Sequence, residues 1–132
     1  DGSEVRRAFE LAVGEFPLAK NPRKPEFVFV DGGQRTFTDG DRVVELIDIG
    51  PNPHAREMLI AYLPKQRIVF QGDMFFLPYN DAPVGPPQEA TIAFARKVKE
   101  KGLAIDQIAG VHGRTGTGAE FQQAVSEKLV LN

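Results

Sequence analysis

Three apolar runs crowd into residues 42–70, and their patterning limits what the chain can become. They are Arg-Val-Val-Glu-Leu-Ile-Asp-Ile at 42–49, Glu-Met-Leu-Ile-Ala-Tyr-Leu at 57–63 and Arg-Ile-Val-Phe at 67–70. Their β-branched and aromatic content reads as strand. In the first run Val43, Glu45 and Ile47 fall on one side, and Val44, Leu46 and Asp48 on the other. A strand with one wet face alternates cleanly, whereas apolar residues on both sides belong to a sheet covered on both faces. Antiparallel pairing of the second and third runs is the simplest reading of so short a turn as Pro64-Lys65-Gln66.

The remaining segments read as follows. Ser3 can cap a helix over about 4–13, with Val5, Ala8, Phe9 and Ala12 at helical spacing. Pro17, Pro22 and Pro25 make an irregular connector. Residues 27–30 read as a short strand ending at the turn Asp31-Gly32-Gly33, and 34–38 as a short edge strand before the turn Asp39-Gly40-Asp41. Gly50-Pro51-Asn52-Pro53 stops the strand before it, and the prolines of 75–87 make that stretch a loop. An amphipathic helix is expected over 88–101, its stripe Ile92, Ala95 and Val98, its wet side carrying Lys97 and Lys99, with Gly102 as the C′ residue. A short buried strand at 107–111, a glycine-rich turn at 113–118 and a helix over 119–128 follow. A run of strands and then helix, strand, helix is an α/β layered domain. The 132 residues amount to a single domain.

Composition removes several functions. Sixteen basic and 18 acidic residues leave a net charge of -2, which argues against a nucleic-acid footprint. No apolar run approaches the roughly 20 residues that span a bilayer, so no membrane partner is expected. With no cysteine, thiolate metal sites and Cys nucleophiles are excluded, and both reducing and oxidising compartments stay open. The chain starts Asp1-Gly2-Ser3 without Met, the expected look of a processed product or a piece of a longer chain.

Only two histidines exist, His54 and His112, and both follow an apolar strand, as does Asp73 in Gln71-Gly72-Asp73. Side chains just past strand ends can converge on one rim of a sheet. Two imidazoles and a carboxylate suit Zn²⁺, Fe²⁺ or Mn²⁺. Each also has a plain reading as a surface histidine or a turn aspartate. Gly113-Arg114-Thr115-Gly116-Thr117-Gly118 looks superficially like a phosphate loop, but it lacks the Gly-Lys-Ser/Thr ending and is better read as a glycine turn entering a helix. Tyr79 and Arg114 are near enough in sequence to contact a substrate, and no serine, Ser3 and Ser126 included, has a histidine nearby for a triad.

Ile49-Gly50-Pro51-Asn52-Pro53-His54, Tyr62-Leu63-Pro64, Phe70-Gln71-Gly72-Asp73 and Val111-His112-Gly113 together resemble the C-terminal half of the metallo-β-lactamase superfamily, over about 42–128. The resemblance implies half of an αββα sandwich: a mixed, mostly antiparallel sheet with helices on one face. It implies that His54 completes a first metal site, that Asp73 bridges two metals or serves the second, and that His112 binds the second. It also implies zinc, with two ions or with iron or manganese as variants, and hydrolysis of a small-molecule substrate by a metal-activated water. The family's His-x-His-x-Asp-His segment is absent.

A half sandwich leaves the second face of its sheet apolar and bare. The expected cover is the missing N-terminal half or a second copy of the chain. Three functions follow: the C-terminal portion of a metal-dependent hydrolase, inactive or weakly active alone because half its ligands are missing; a non-catalytic half-fold that works in binding or assembly; and an ordinary α/β domain.

Overall fold

The computed structural model describes residues 26–80 and 82–130, together with residues 4, 6–8, 10 and 11. Those six N-terminal residues are helical, as the periodicity expects, but Ser3, Val13 and the connector 17–25 lie outside the described residues.

Among the described residues the sheet has six strands in chain order. They are β1 (Gln34–Asp39), β2 (Arg42–Asp48), β3 (Leu59–Leu63), β4 (Ile68–Gln71), β5 (Gln107–Gly110) and β6 (Gly116–Thr117). Helix α1 (Glu89–Glu100) joins β4 to β5, and α2 (Gly118–Val130) follows β6. All neighbours pair antiparallel except β4 and β5, which are parallel because a helix intervenes. The mixed, mostly antiparallel sheet matches the expected fold class.

Helix α1 ends as its glycine foretells. Gly102 takes φ 62°, its N–H donates to the Lys99 carbonyl at 3.1 Å, and Leu103 N–H donates to Val98 O at 3.0 Å. That pair of bonds is the Schellman arrangement.

The core forms where β2–β5 meet both helices. Ile47, Ile60, Tyr62, Val69 and Ile108 pack with Phe94, Ala95 and Val98 of α1 and with Phe121 and Val125 of α2. Phe121 is the hub, its ring 5.2 Å from both Phe75 and Phe94. The opposite face is different. In β3, Ile60 and Tyr62 are buried while Leu59 is exposed, and across the ladders Phe37 stands opposite Val44, Leu46 opposite Ala61, and Ala61 opposite Phe70. Phe37, Leu59 and Phe70 are 42%, 45% and 45% exposed. Among the described residues, then, helices cover one face and the other is apolar and open.

Four expectations need correction. Residues 27–30 form no strand and meet no ladder partner among the described residues, although a 3₁₀ turn at Asp31–Gly33 follows where a turn is expected. Residues 107–111 are not a buried strand throughout: Ile108 is 2% exposed but Val111, beyond the strand end, is 51% exposed. The turn at 113–118 contains the two-residue strand β6, which is too short to leave a periodic signal. The stretch 75–87 is irregular, yet its first residues belong to the core with the residue before them: Met74, Phe75 and Leu77 are at most 7% exposed.

Candidate functional site

The three polar residues singled out at strand ends come together at one rim of the sheet. His54 Nε2 lies 3.6 Å from Asp73 Oδ2, and His112 Nε2 lies 3.5 Å from Asp73 Oδ1. Each carboxylate oxygen thus faces a different imidazole. These gaps exceed a good hydrogen bond. They are close to the roughly 3.3–3.4 Å that separates two donor atoms on one tetrahedral ion with bonds of about 2.0–2.1 Å. All three side chains are open to solvent, with 43%, 41% and 72% of His54, Asp73 and His112 exposed.

The donors suit zinc chemically, but their number is short. Because the imidazoles flank opposite oxygens, each of the two positions beside Asp73 has two protein donors. A catalytic zinc ordinarily takes three. Consistently, no group of three His, Cys, Asp or Glu side chains among the described residues is arranged to hold a single ion.

Each donor is carried by a loop with its own local reason for being fixed. The His54 loop is closed at its base by Ile49 N–H donating to Met58 O at 3.0 Å. Within it, Asn52 does the organising: its Oδ1 accepts from the N–H groups of His54 at 2.9 Å and Ala55 at 3.0 Å, and its own N–H donates to Ala55 O. Asn between two prolines is an Asx-turn signal, and it could have been read as a positioning feature from sequence. The His112 loop depends on close approach. Gly113 has φ 82°, and a Cβ there would collide with the Leu77 carbonyl, while Arg114 N–H donates to that same carbonyl at 3.0 Å. The Asp73 turn is stapled by Gln71, whose Oε1 accepts from the Met74 N–H at 2.7 Å.

A cleft of about 460 Å³ opens over the three donors, lined also by Met74, Phe75, Phe76, Val84, Pro86 and Thr91. Tyr79 and Arg114 do not line it. Tyr79 is 70% exposed, and Arg114 is engaged with Glu120 at 2.6 Å. The Ser126 hydroxyl donates to Gln123 O on α2. Ser3 lies outside the described residues. The 113–118 segment is a turn entering a helix: Thr117 and Glu120 form a capping box, with Thr117 N–H on Glu120 Oε2 at 2.8 Å and Glu120 N–H on Thr117 Oγ1 at 3.2 Å. Its Thr-x-x-Glu spacing is the capping-box signature in the sequence. The Arg114 guanidinium and then the Thr117 groups hold the Glu120 carboxyl at about 2, below its ordinary 4.5.

No family model matches the sequence, and no curated protein matches it. Solved structures do match in shape. An archaeal metallo-β-lactamase superfamily protein from Sulfolobus tokodaii aligns at 18% identity and TM-score 0.55, covering 96% of this chain and 51% of that one. A metallo-β-lactamase from Pontibacter korlensis aligns at 23% identity and TM-score 0.51, covering 92% and 53%. A stereoselective inverting sec-alkylsulfatase from a Pseudomonas species aligns at 12% identity and TM-score 0.54, covering 76% and 17%. At such identities the likeness shows the fold: this chain has half of a metallo-β-lactamase fold, spanning about half the length of the first two structures.

Proposed function

We propose that the chain is the ligand-bearing C-terminal portion of a metal-dependent hydrolase. The observation that carries this is the Asp73 carboxylate set between two imidazoles, one to each oxygen, at 3.5 Å and 3.6 Å. His54 and one oxygen of Asp73 would hold a first ion, and His112 and the other oxygen a second, with zinc best suited and iron or manganese able to replace it. When bound, such an ion lowers the pKa of water from 15.7 to about 7 and polarises the bond to be cleaved. The rest is done by the protein's own groups. Asp73 keeps the two positions at a fixed separation, Asn52 sets the aim of His54, and the apolar side of the cleft (Phe76, Val84, Pro86) takes the body of a small substrate and excludes water from it.

Two donors per position do not close a catalytic site, so this chain alone is expected to be inactive or nearly so. The remaining donors, and a cover for the open sheet face, would come from an N-terminal half carrying His-x-His-x-Asp-His. A titration of the purified chain with zinc, alone and with such a half added, tests this. Zinc retained only weakly by the chain alone, lost in His54→Ala and Asp73→Ala, and bound tightly with hydrolytic activity on reconstitution is the expected result. No zinc, iron or manganese retained even after reconstitution would contradict it.

The open apolar face favours a second reading, a non-catalytic module that pairs through Phe37, Leu59 and Phe70. A stable dimer whose size and stability ignore added metal, with the donor variants indistinguishable from the parent, would select it.

A further inference from the structure

We infer that Gln71 is the positioning residue that holds Asp73 and His112 in mutual register. This rests on the metal-site reading for its purpose, but not for its geometry. Gln71 is 1% exposed, the last residue of β4, and its carboxamide turns inward. Oε1 accepts from the N–H groups of Met74 at 2.7 Å and Phe75 at 3.1 Å, and Nε2 donates to Phe75 O at 2.8 Å. One buried side chain therefore satisfies three backbone groups of the turn on which Asp73 stands. An interior turn would otherwise carry those groups unpaired, and unpaired buried polar groups are costly.

The same carboxamide reaches the neighbouring strand. Gln71 stands opposite Gly110 in the parallel β4–β5 ladder. A Cβ at Gly110 would lie 2.7 Å from Gln71 Nε2 and 3.0 Å from the His112 carbonyl oxygen. The missing side chain at 110 is the space the carboxamide occupies. Gly110 in turn lies two residues before His112. The amide thus lies between the turn that carries Asp73, which it holds by hydrogen bonds, and the strand end that leads to His112, beside which it packs at Gly110. Glycine at 110 and glutamine at 71 are two halves of one arrangement.

The test compares Gln71→Met, which keeps length and apolar bulk but deletes the amide, with Gly110→Ala, which keeps the amide but displaces it. A core control, Val98→Ala, sits on α1, outside the residues lining the cleft. Amide exchange by NMR and cobalt(II) titration are read on folded protein, with thermal melting as the measure of overall stability. Gln71→Met is expected to accelerate exchange at Met74 and Phe75 selectively and to weaken cobalt binding about tenfold or more, the size typical of losing an outer-shell partner. Gly110→Ala is expected to move both readouts the same way, and stands in if Gln71→Met fails to fold. Val98→Ala, though it lowers the melting temperature, should move neither. Protected Met74 and Phe75 amides in Gln71→Met, unchanged cobalt affinity in a parent that binds cobalt, or equal losses in Val98→Ala would each overturn the proposal. If the parent chain alone binds no cobalt, the metal reading is decided on the reconstituted protein. A crystal structure of Gln71→Met then decides the positioning role: displacement of the Asp73 carboxylate by about 1 Å or more supports it, and displacement within about 0.5 Å overturns it.

Discussion

The two faces of the sheet are built to different standards. On one, Ile47, Ile60, Val69 and Ile108 interlock with Phe94 and Phe121, all at most 2% exposed. On the other, Phe37, Leu59 and Phe70, on β1, β3 and β4, stand about half in water. Both sets of side chains are apolar, so hydrophobicity alone does not distinguish them. What distinguishes them is whether the chain brings its own cover. The helix-covered face has α1 and α2, whereas the described residues put no helix core against the other. An apolar surface that repeats strand by strand across the ladders is what a second sheet or a second copy would cover under the proposed readings.

The sharpest way to break this contrast is to truncate one large ring on each face. Phe121→Ala removes the hub of the covered core and is expected to cost about 3–5 kcal/mol in chemical denaturation. Phe70→Ala on the open face should change stability by less than about 1 kcal/mol. Equal costs would mean that the open face is covered after all. Next in size, the double variant Phe37→Lys, Phe70→Lys should suppress self-association in analytical ultracentrifugation while leaving the circular-dichroism spectrum intact. Self-association that survives the two lysines would show that the contact lies elsewhere. Removing the loop organiser with Asn52→Ala is expected to cost about 1 kcal/mol, the typical net worth of lost neutral hydrogen bonds, and to weaken zinc retention more than stability.

The smallest expected effect belongs to the covered face at low pH. Glu120 caps α2 through Thr117 and pairs with Arg114, which holds its carboxyl at about 2 rather than 4.5. The folded state therefore gains from the ionised form above pH 4.5, and that gain drains away as pH falls from 4.5 toward 2. Glu120→Gln should be less stable than the parent at neutral pH, with the difference vanishing across that window in acid denaturation. A difference that stays constant down to pH 2 would show that the pair contributes nothing through charge.

How much of this was legible in the sequence follows the length of the signal. The long β-branched run at 42–49 and the amphipathic run at 88–101 announced β2 and α1, and Gly102 announced its cap. The open face, too, was foretold by apolar residues on both sides of β2. Residues 27–30 misled because four apolar residues look like a strand whether or not a partner exists, and pairing is a tertiary fact. Strand β6 escaped because two residues carry no period. Met74, Phe75 and Leu77 were hidden at the start of a proline-rich loop, where irregular backbone gives no period to mark core positions. The convergence of His54, Asp73 and His112 was legible because chemistry-bearing residues at strand ends are conspicuous. Gln71 was not, because an uncharged residue before a Gly-Asp turn reveals nothing until its three backbone partners are seen around it.

The central claim is that one carboxylate serves two imidazoles as a shared support for metal. Anomalous diffraction at the zinc edge, from crystals of this chain grown or soaked with zinc, tests it most directly. A peak about 2.0–2.2 Å from Asp73 and His54 Nε2, a second at the same distances from Asp73 and His112 Nε2, or one of the two, is the expected outcome. Zinc bound only at other surface positions, with His54 and His112 still 3.6 Å and 3.5 Å from Asp73 and no peak between them, would contradict it.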